Sequence, residues 1–252
     1  RSHYLQQSPT DGIGITRAES RTASVLAVGE VRRLLAATRS AEHQEVAPAF
    51  LIQLFAGLRR CEVCFLRWEM LRDRFIRLDT VKLGTRRRPV EMPEALLRWI
   101  EPYRRSEGSV FKPSSLDRDG QRSAASRMAS LGDTRGLEDA YACRLAALAR
   151  EAGVTLAKNV LRHTAITMRV NSTGDVAATA RWAGNSPAVV SMNYLGAATP
   201  DDARAFYSLK PGSHSQIVPF AAGTERSEPA ARLPAATGLA EQDIKFVGNI
   251  GQ

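Results

Sequence analysis

The last third of the sequence is divided into short helices by three successive helix-start signals. Asp175, Ser186 and Thr199 each precede a stretch of helix-forming residues, and an oxygen on such a side chain accepts a hydrogen bond from the first helical turn. A proline directly follows Ser186 and Thr199, at the position where its missing N–H has no intrahelical partner. Gly184 stands where the first of these helices should end. This punctuation predicts a mainly helical C-terminal part.

Apolar spacing predicts further helices upstream and one small sheet. Leu145, Leu148 and Ala149 recur at helical spacing, whereas the apolar residues of 75–92 come in short runs around a basic turn, which indicates two or three strands. We expect a mainly α (α+β) domain with a small three-stranded antiparallel sheet. Residues 106–135 are polar and poorly periodic, which predicts a long surface excursion. The expected helices cover residues 28–40, 41–55, 58–66, 94–103, 137–152 and 159–170.

The formal net charge of +9 lies in the middle of the chain. Residues 1–21 carry +1 and residues 213–252 carry −1, so the segment between them holds a net +9. A basic folded body, as opposed to a basic tail, favours a polyanionic partner such as nucleic acid. Arginine outnumbers lysine, and its planar fork suits bidentate contacts with phosphate. A coding bias that replaces Lys by Arg would leave the same excess.

Composition also bounds the organisation of the chain. Residues 1–21 have the composition of a linker, and residues 213–252 are rich in Ala, Pro, Gly and Ser with few large apolar residues. We therefore expect a linker, one domain over residues 22–212 and a flexible C-terminal tail. The N-terminus does not resemble a signal peptide, no apolar run approaches the length of a membrane span, and three cysteines make no disulfide framework. These features predict an intracellular, cytoplasmic protein.

A few side chains in this chain could together cleave a phosphodiester without a metal ion. Arg162 follows Asn159 by three residues, which would place both on one face of an expected helix, and Arg59 begins a short helix after Gly57. Two guanidiniums on rigid helices would stabilise the charge that gathers on the phosphate oxygens during attack. The hydroxyl of Tyr194 could attack phosphorus, and a lysine on a hairpin tip could protonate the leaving 5′-oxygen.

These residues stand in motifs that resemble those of the tyrosine site-specific recombinases, the phage-integrase family. The family's G-L-R-x-x-E box is matched at 57–62 by G-L-R-R-C-E, and its H-x-L-R-H-T box at 159–164 by N-V-L-R-H-T. The family's L-G-H and nucleophile are matched by A-G-N at 183–185, with Tyr194 nine residues after Asn185. Lys82 and the basic turn that follows resemble the family's β-hairpin lysine, in a register shifted by about one residue. The resemblance spans roughly residues 24–210.

The resemblance implies a catalytic domain that cleaves and rejoins DNA strands through a 3′-phosphotyrosyl bond in site-specific recombination or integration. It implies that Arg59 and Arg162 hold the phosphate, that Lys82 is the acid and that Tyr194 is the nucleophile. No cofactor and no metal ion is implied. The implied partner is double-stranded DNA, bound by a homotetramer that is nucleoid-associated in the cell. The helical domain with which family members clamp the other DNA face has no counterpart here, so we expect a catalytic-domain fragment.

The sequence departs from the family at two histidines. Asn159 and Asn185 stand where family members have His, and an amide forms hydrogen bonds but cannot exchange a proton near neutral pH. We expect both amides to supply hydrogen bonds in the catalytic site, although Asn159 also fits a helix N-cap and Asn185 a polar residue before the Ser186 cap. Two further interpretations fit the same motifs. One is a DNA-binding protein that has lost catalysis, and the other is a relative of the type IB topoisomerases.

Other polar residues around the motifs are candidates for DNA contacts. We expect the arginines among them to contact backbone phosphates rather than base edges, although a solvated charge run would look the same. The histidine among them either faces phosphate or is a structural residue of the core. The candidates are Arg60, Arg86, Arg87, Arg88 and His163.

Three residue types invite interpretations that the sequence favours less. Cys61 and Cys64 have the spacing of a metal or redox pair, but no second pair or nearby histidine accompanies them, so we expect small buried side chains. The three tryptophans fit core positions better than base-stacking positions. The other candidate nucleophiles lack the box that precedes Tyr194, and they are Tyr103, Tyr141 and Tyr207.

Overall fold

The structure, a computed structural model, describes residues 24–78, 87–113 and 135–212. All of them belong to the first of two units into which the chain divides, Arg1–His214. Three 3₁₀ turns lie at Ala41–His43, Trp68–Met70 and Glu101–Tyr103. The helices and strands are α1 Val28–Ala37, α2 Ala47–Ala56, α3 Arg60–Cys64, β1 Leu71–Arg72, β2 Phe75–Leu78, β3 Arg88–Glu91, α4 Glu94–Ile100, α5 Arg135–Glu151, α6 Val160–Thr173, α7 Val176–Ala183, α8 Pro187–Asn193 and α9 Pro200–Tyr207.

The small sheet is antiparallel with the strand order β1-β2-β3. Ile76 is paired with Leu71 on one side and with Val90 on the other, and all three side chains are buried. The expected mainly α fold with a three-stranded antiparallel sheet is therefore confirmed. Leu78 pairs with Arg88, which brings together the two ends of the β2–β3 hairpin. Residues 79–86, which connect these two strands in the sequence, lie outside the described ranges, and so does the strand expected among them.

Helix α2 forms the centre of the core. Every residue of Ala47–Ala56 is buried, as expected of a helix that is apolar on all sides. Its neighbours include α3, α4 and α6, and α6 also packs against α9. Burial of a large side chain such as Phe50 or Phe55 contributes about 1.5–3 kcal/mol to stability. The packing of α2 on α6 is what brings the residues that follow α2 close to Arg162 on α6.

The caps predicted in the last third of the chain are confirmed. The side chain of Asp175 accepts a hydrogen bond from the backbone N–H of Ala178 at 2.8 Å, and Gly184 ends α7 in the left-handed conformation with φ +68°. Ser186 and Thr199 cap α8 and α9 through their hydroxyl oxygens.

Four predicted helices are shorter or divided in the structure. The helix expected over 28–40 ends at Ala37, and the helix expected over 94–103 is α4 followed by the 3₁₀ turn Glu101–Tyr103. The helix expected over 41–55 is a 3₁₀ turn followed by α2, because Pro48 lacks an N–H and fits the first turn of a helix but not its interior. The helix expected over 58–66 is reduced to α3. The carboxylate of Glu62 accepts the backbone N–H of Arg59 at 2.8 Å, which fixes Arg59 as the residue before the helix.

The remaining side-chain predictions concern the core. All three tryptophans are buried, as expected. Cys64 is buried and Cys61 half-buried, and both are free thiols. In the part of the chain that the structure describes, no cluster of His, Cys, Asp and Glu is arranged to hold a metal ion. No helix in the described ranges is both long and apolar enough to span a bilayer.

Candidate active site

The C-terminal end of α7 binds three arginines that come from three other parts of the chain. These last carbonyls have no intrahelical N–H to accept from, and they form the negative end of the helix dipole, so they attract cations. The three guanidiniums are thereby held beside one another. The contacts are Arg88 Nε to the Trp182 carbonyl at 3.0 Å, Arg162 Nη2 to the Ala183 carbonyl at 2.7 Å and Arg59 Nη2 to the Gly184 carbonyl at 2.9 Å.

Of the two arginines predicted to hold phosphate, Arg162 forms the larger number of side-chain hydrogen bonds to the protein. Its Nη1 donates to the carbonyl of Gly57 at 2.5 Å, and its Nη2 also donates to Oδ1 of Asn185 at 3.1 Å. Burial, together with the nearby charge of Arg59, lowers the pKa of Arg162 to about 10, so the guanidinium still carries its charge at neutral pH. A guanidinium has more N–H donors than these bonds use, so Arg162 can also bind an anion.

Arg59 is the more accessible of the two. Its side chain is 35% exposed, whereas that of its partner Glu62 is 2% exposed. Nη1 of Arg59 donates to Oε1 of Glu62 at 3.1 Å, and Nη2 reaches the Gly184 carbonyl. Arg59 therefore presents a positive charge at the surface while its inner nitrogens are tied to α3 and α7. Position and residual donors both suit a phosphate contact.

The structure corrects the expectation for Arg88, which was predicted to contact DNA from a basic turn. Arg88 is the first residue of β3 and its side chain is 6% exposed. Its Nη1 and Nη2 donate to Oε1 and Oε2 of Glu62, each at 2.9 Å. Burial alone would raise the pKa of Glu62, but the hydrogen bonds and charge of Arg88 outweigh it and hold that pKa below its usual value. Arg88 is thus a buried partner of Glu62.

Tyr194 lies close to Arg162 and Arg59, the two arginines that were predicted to hold phosphate. It follows α8 directly, and its backbone N–H donates to the carbonyl of Val190 at 3.1 Å. Burial raises the pKa of Tyr194 although Arg162, a hydrogen bond from Asn185 and Arg59 each act to lower it. The phenol is therefore protonated at neutral pH and lies within the electrostatic influence of both arginines.

His163 contacts Tyr194 rather than standing free on the surface. The two rings are stacked, with centroids 5.5 Å apart and planes 28° from parallel. Burial, and then the charge of Arg162, lowers the pKa of His163, so its ring is neutral at pH 7. Its Nδ1 is buried and has no hydrogen-bond partner among the residues that the structure describes. His163 and Tyr194 therefore form one packed pair beside the arginines.

Asn159 was predicted to lie with Arg162 in this cluster, but the structure does not place it there. Helix α6 begins at Val160, and Asn159 precedes it in the left-handed conformation with φ +60° and without a side-chain capping bond. Asn159 therefore does not share a helix face with Arg162, and it is exposed where Arg162 is buried. Asn159 thus stands at the N-cap position, the alternative that the sequence left open. Asn159 and Arg60 instead line a separate cavity of about 190 Å³.

Three other candidates lie at or beyond the edge of what is described. Lys82 and Arg86 belong to residues 79–86, outside the described ranges. Arg87 is exposed immediately before β3, and with Phe75 and Arg77 it lines a cavity of about 500 Å³ on the sheet.

Glu62 also belongs to this cluster, although the sequence alone predicted no role for it. It is buried between Arg59 and Arg88, and it accepts hydrogen bonds on both of its oxygens. Its spacing of three residues after Arg59 is that of a capping pair, which could have indicated the first contact. The contact with Arg88 joins α3 to β3 and has no local pattern in the sequence.

The other described candidate nucleophiles lie away from the arginines at the end of α7. Tyr141 is fully buried and its hydroxyl donates to Gln53 at 2.8 Å. Tyr207 packs edge-on against Phe206, and burial raises its pKa. Tyr103 donates to the carbonyl of Thr38 at 3.4 Å.

Comparison with known proteins identifies the fold. The crystal structure of XerA recombinase superposes with a TM-score of 0.50 at 19% sequence identity, over 77% of this chain and 66% of that chain. The match thus covers just under two thirds of that structure. Neither a protein-family model nor a curated protein matches the sequence. The chain has the fold of a tyrosine recombinase catalytic domain.

Proposed function

We propose that this chain binds double-stranded DNA and cleaves and rejoins its strands through a covalent bond to Tyr194, in site-specific recombination or integration. The observation that carries the proposal is the placement of Tyr194 next to Arg59 and Arg162, both held at the end of α7. A recombinase-like fold alone would not specify chemistry, since function depends on the site that a fold carries.

In the proposed reaction the guanidiniums of Arg59 and Arg162 bind the two non-bridging oxygens of the phosphate. The hydroxyl oxygen of Tyr194 attacks phosphorus, the bond from phosphorus to the 5′-oxygen breaks, and a 3′-phosphotyrosine remains. The phenol is protonated beforehand, because its pKa is raised, and it gives up its proton to solvent during the attack. Lys82 supplies the proton that the leaving 5′-oxygen takes up. Reversal with another strand's 5′-hydroxyl rejoins the DNA without a cofactor.

The two asparagines have different roles in this proposal. Oδ1 of Asn185 accepts from Arg162, which leaves the amide nitrogen to donate to a phosphate oxygen or to the phenol. Asn159 is exposed at the start of α6, where it can donate to a neighbouring DNA phosphate. Neither amide exchanges a proton near neutral pH, so proton transfer would depend on Lys82 and solvent.

The DNA-binding surface in this proposal is the basic body between residues 22 and 212. Arg60, Arg86 and Arg87 would contact backbone phosphates, and His163 would hold the ring of Tyr194 by stacking. Strand exchange between two duplexes would need several protomers, and a homotetramer on two sites meets that need.

A pool of nicked duplexes of random sequence tests the proposal, since the nick releases a short fragment and traps the covalent intermediate. We expect a denaturation-resistant protein–DNA adduct from the unaltered chain and none from Tyr194→Phe. Tyr207→Phe is the matched control, because Tyr207 is a half-buried tyrosine that packs against Phe206, and it should form the adduct normally. Tight DNA binding without an adduct would instead indicate a protein that binds DNA but no longer cleaves it.

A second experiment addresses the asparagines. If they limit proton transfer, Asn159→His combined with Asn185→His should raise the adduct yield, and the Asn185→His change should account for most of the gain because Asn185 contacts Arg162. An unchanged yield would contradict this role.

A further inference from the structure

Arg88 is a buried cation that the proposed reaction does not use directly. Its guanidinium is enclosed between α3, α7 and the start of β3, and a Cβ on Gly184 would lie 3.1 Å from its Cζ. All three of its nitrogens donate to protein groups, which are the Trp182 carbonyl and the two carboxylate oxygens of Glu62. A buried arginine is expected to have a structural reason or to act through a neighbour.

The neighbour is Glu62, whose carboxylate is shared between Arg88 and Arg59. Oε1 accepts from Nη1 of Arg88 at 2.9 Å and from Nη1 of Arg59 at 3.1 Å. Oε2 accepts from Nη2 of Arg88 at 2.9 Å and from the backbone N–H of Arg59 at 2.8 Å. Because the bidentate pair with Arg88 fixes the plane of the carboxylate, it also fixes the direction in which Arg59 is held.

We propose that Arg88 is a positioning residue for strand cleavage, which orients Arg59 toward the phosphate through the carboxylate that the two arginines share. This inference rests on the proposed function. Arg88 neutralises Glu62, and Arg59 keeps its charge for the substrate. Without Arg88, the buried carboxylate would have Arg59 as its remaining cation and would draw that guanidinium inward.

The charge of the cluster supports the same role. Three guanidiniums and one carboxylate leave a net +2 among Arg59, Arg88, Arg162 and Glu62. An oxyanion attacking a phosphodiester produces a doubly negative transition state, which such a cluster complements. Removal of Arg88 lowers the net charge to +1 while leaving both phosphate-facing arginines in the chain.

The test is a double-mutant cycle between Arg88 and Arg59. Arg88→Lys keeps the charge but cannot form the bidentate pair, and Arg88→Met removes the charge at similar length. Each substitution should lower the rate of adduct formation at saturating DNA on the order of tenfold. In an Arg59→Ala background the same substitution should lower that rate less than about twofold, because the effects of substitutions at coupled residues are not additive. Arg98→Lys, which alters an exposed ion pair with Glu94 on α4, should leave the rate unchanged.

A merely structural role would give a different pattern. The losses from Arg88→Lys and Arg59→Ala would then add, and the loss from Arg88→Lys would follow its loss of thermal stability. Either result overturns the inference, and so does an unchanged rate in Arg88→Lys. If Arg88→Met does not fold, Arg88→Lys alone completes the cycle.

The same double-mutant cycle can be measured on the affinity for nicked duplex DNA, with Tyr194→Phe present in every variant. This measurement separates the proposal of strand cleavage from the proposal that Arg88 positions Arg59. An unaltered chain that forms no adduct refutes strand cleavage, yet coupling of Arg88 to Arg59 in the affinity would still support the positioning role. Additive affinities in a chain that forms the adduct refute the positioning role alone. A chain that binds no duplex overturns both.

Discussion

Gly57 lies at the junction of the core and the site, and its replacement by alanine should destabilise the protein more than an ordinary glycine substitution. It ends α2 with φ +63°, and an added Cβ would lie 3.0 Å from Cη2 of Trp182 and 3.2 Å from the Cβ of Ala165. Its carbonyl also accepts the hydrogen bond from Arg162. The substitution therefore combines backbone strain with overpacking.

The ring of Trp182 has little freedom to move away from the new methyl group. Its Nε1 donates to the carbonyl of Glu91 at 2.9 Å, and the guanidinium of Arg169 lies 4.7 Å from the ring centroid. The left-handed conformation costs an alanine about 1–2 kcal/mol. Overpacking in a rigid core costs about 1–3 kcal/mol more. We therefore expect Gly57→Ala to lower the free energy of unfolding by about 2–5 kcal/mol.

Gly174→Ala is the matched control. Gly174 ends α6 with φ +70°, but an added Cβ would meet none of the described residues within 4 Å. It should cost the strain alone, about 1–2 kcal/mol. Denaturant unfolding of both variants measures the difference, which we expect to be about 1–3 kcal/mol. Equal destabilisation by the two variants would refute the packing argument, and an unchanged adduct yield in folded Gly57→Ala would refute the link to Arg162.

Three further predictions concern the charges of the site. Glu62→Gln should cost about 3–5 kcal/mol, because it leaves Arg88 without its buried counter-charge. Folding lowers the pKa of Glu62, so the stability that its carboxylate contributes is present above its unfolded pKa and is lost as the pH falls through its folded pKa. Glu62→Gln should therefore make the free energy of unfolding depend less on pH in the acid range. Denaturation at a series of acid pH values measures this dependence. Asn185→Leu removes an acceptor from Arg162 and should lower the adduct yield roughly tenfold with little loss of stability, and an unchanged yield would contradict the contact. The pKa of Tyr194 is raised, so the rate of adduct formation should increase as pH rises from neutral toward about 10, and a flat profile would indicate that loss of the phenol proton does not limit the reaction.

Local features of the chain could be predicted from the sequence because they depend on residues a few positions apart. The caps at Asp175, Ser186 and Thr199 are examples, since each side chain bonds a backbone N–H three residues further on. The small sheet and the buried tryptophans were predictable for a similar reason. Helix ends were harder to predict where Pro48 starts α2 and where Arg59 precedes α3 as its cap.

The site was predictable in its parts but not in its arrangement. Arg59, Arg162, Asn185 and Tyr194 could be named from their spacing, and the structure brings them together. Asn159 was expected on the helix face of Arg162, but α6 begins at Val160 and Asn159 precedes it with φ +60°, so helical spacing does not apply to its side chain.

The sequence by itself determined the helix caps at Asp175, Ser186 and Thr199 and the residues that match the family's motifs. The tertiary structure alone decided that the carbonyls at the end of α7 hold three arginines, and that Arg88 is buried against Glu62 rather than exposed on a turn. Those contacts join residues between 21 and 125 positions apart. They exist because α2, α6, α7 and β3 pack around one core, and no local pattern records which carbonyl a distant guanidinium will meet.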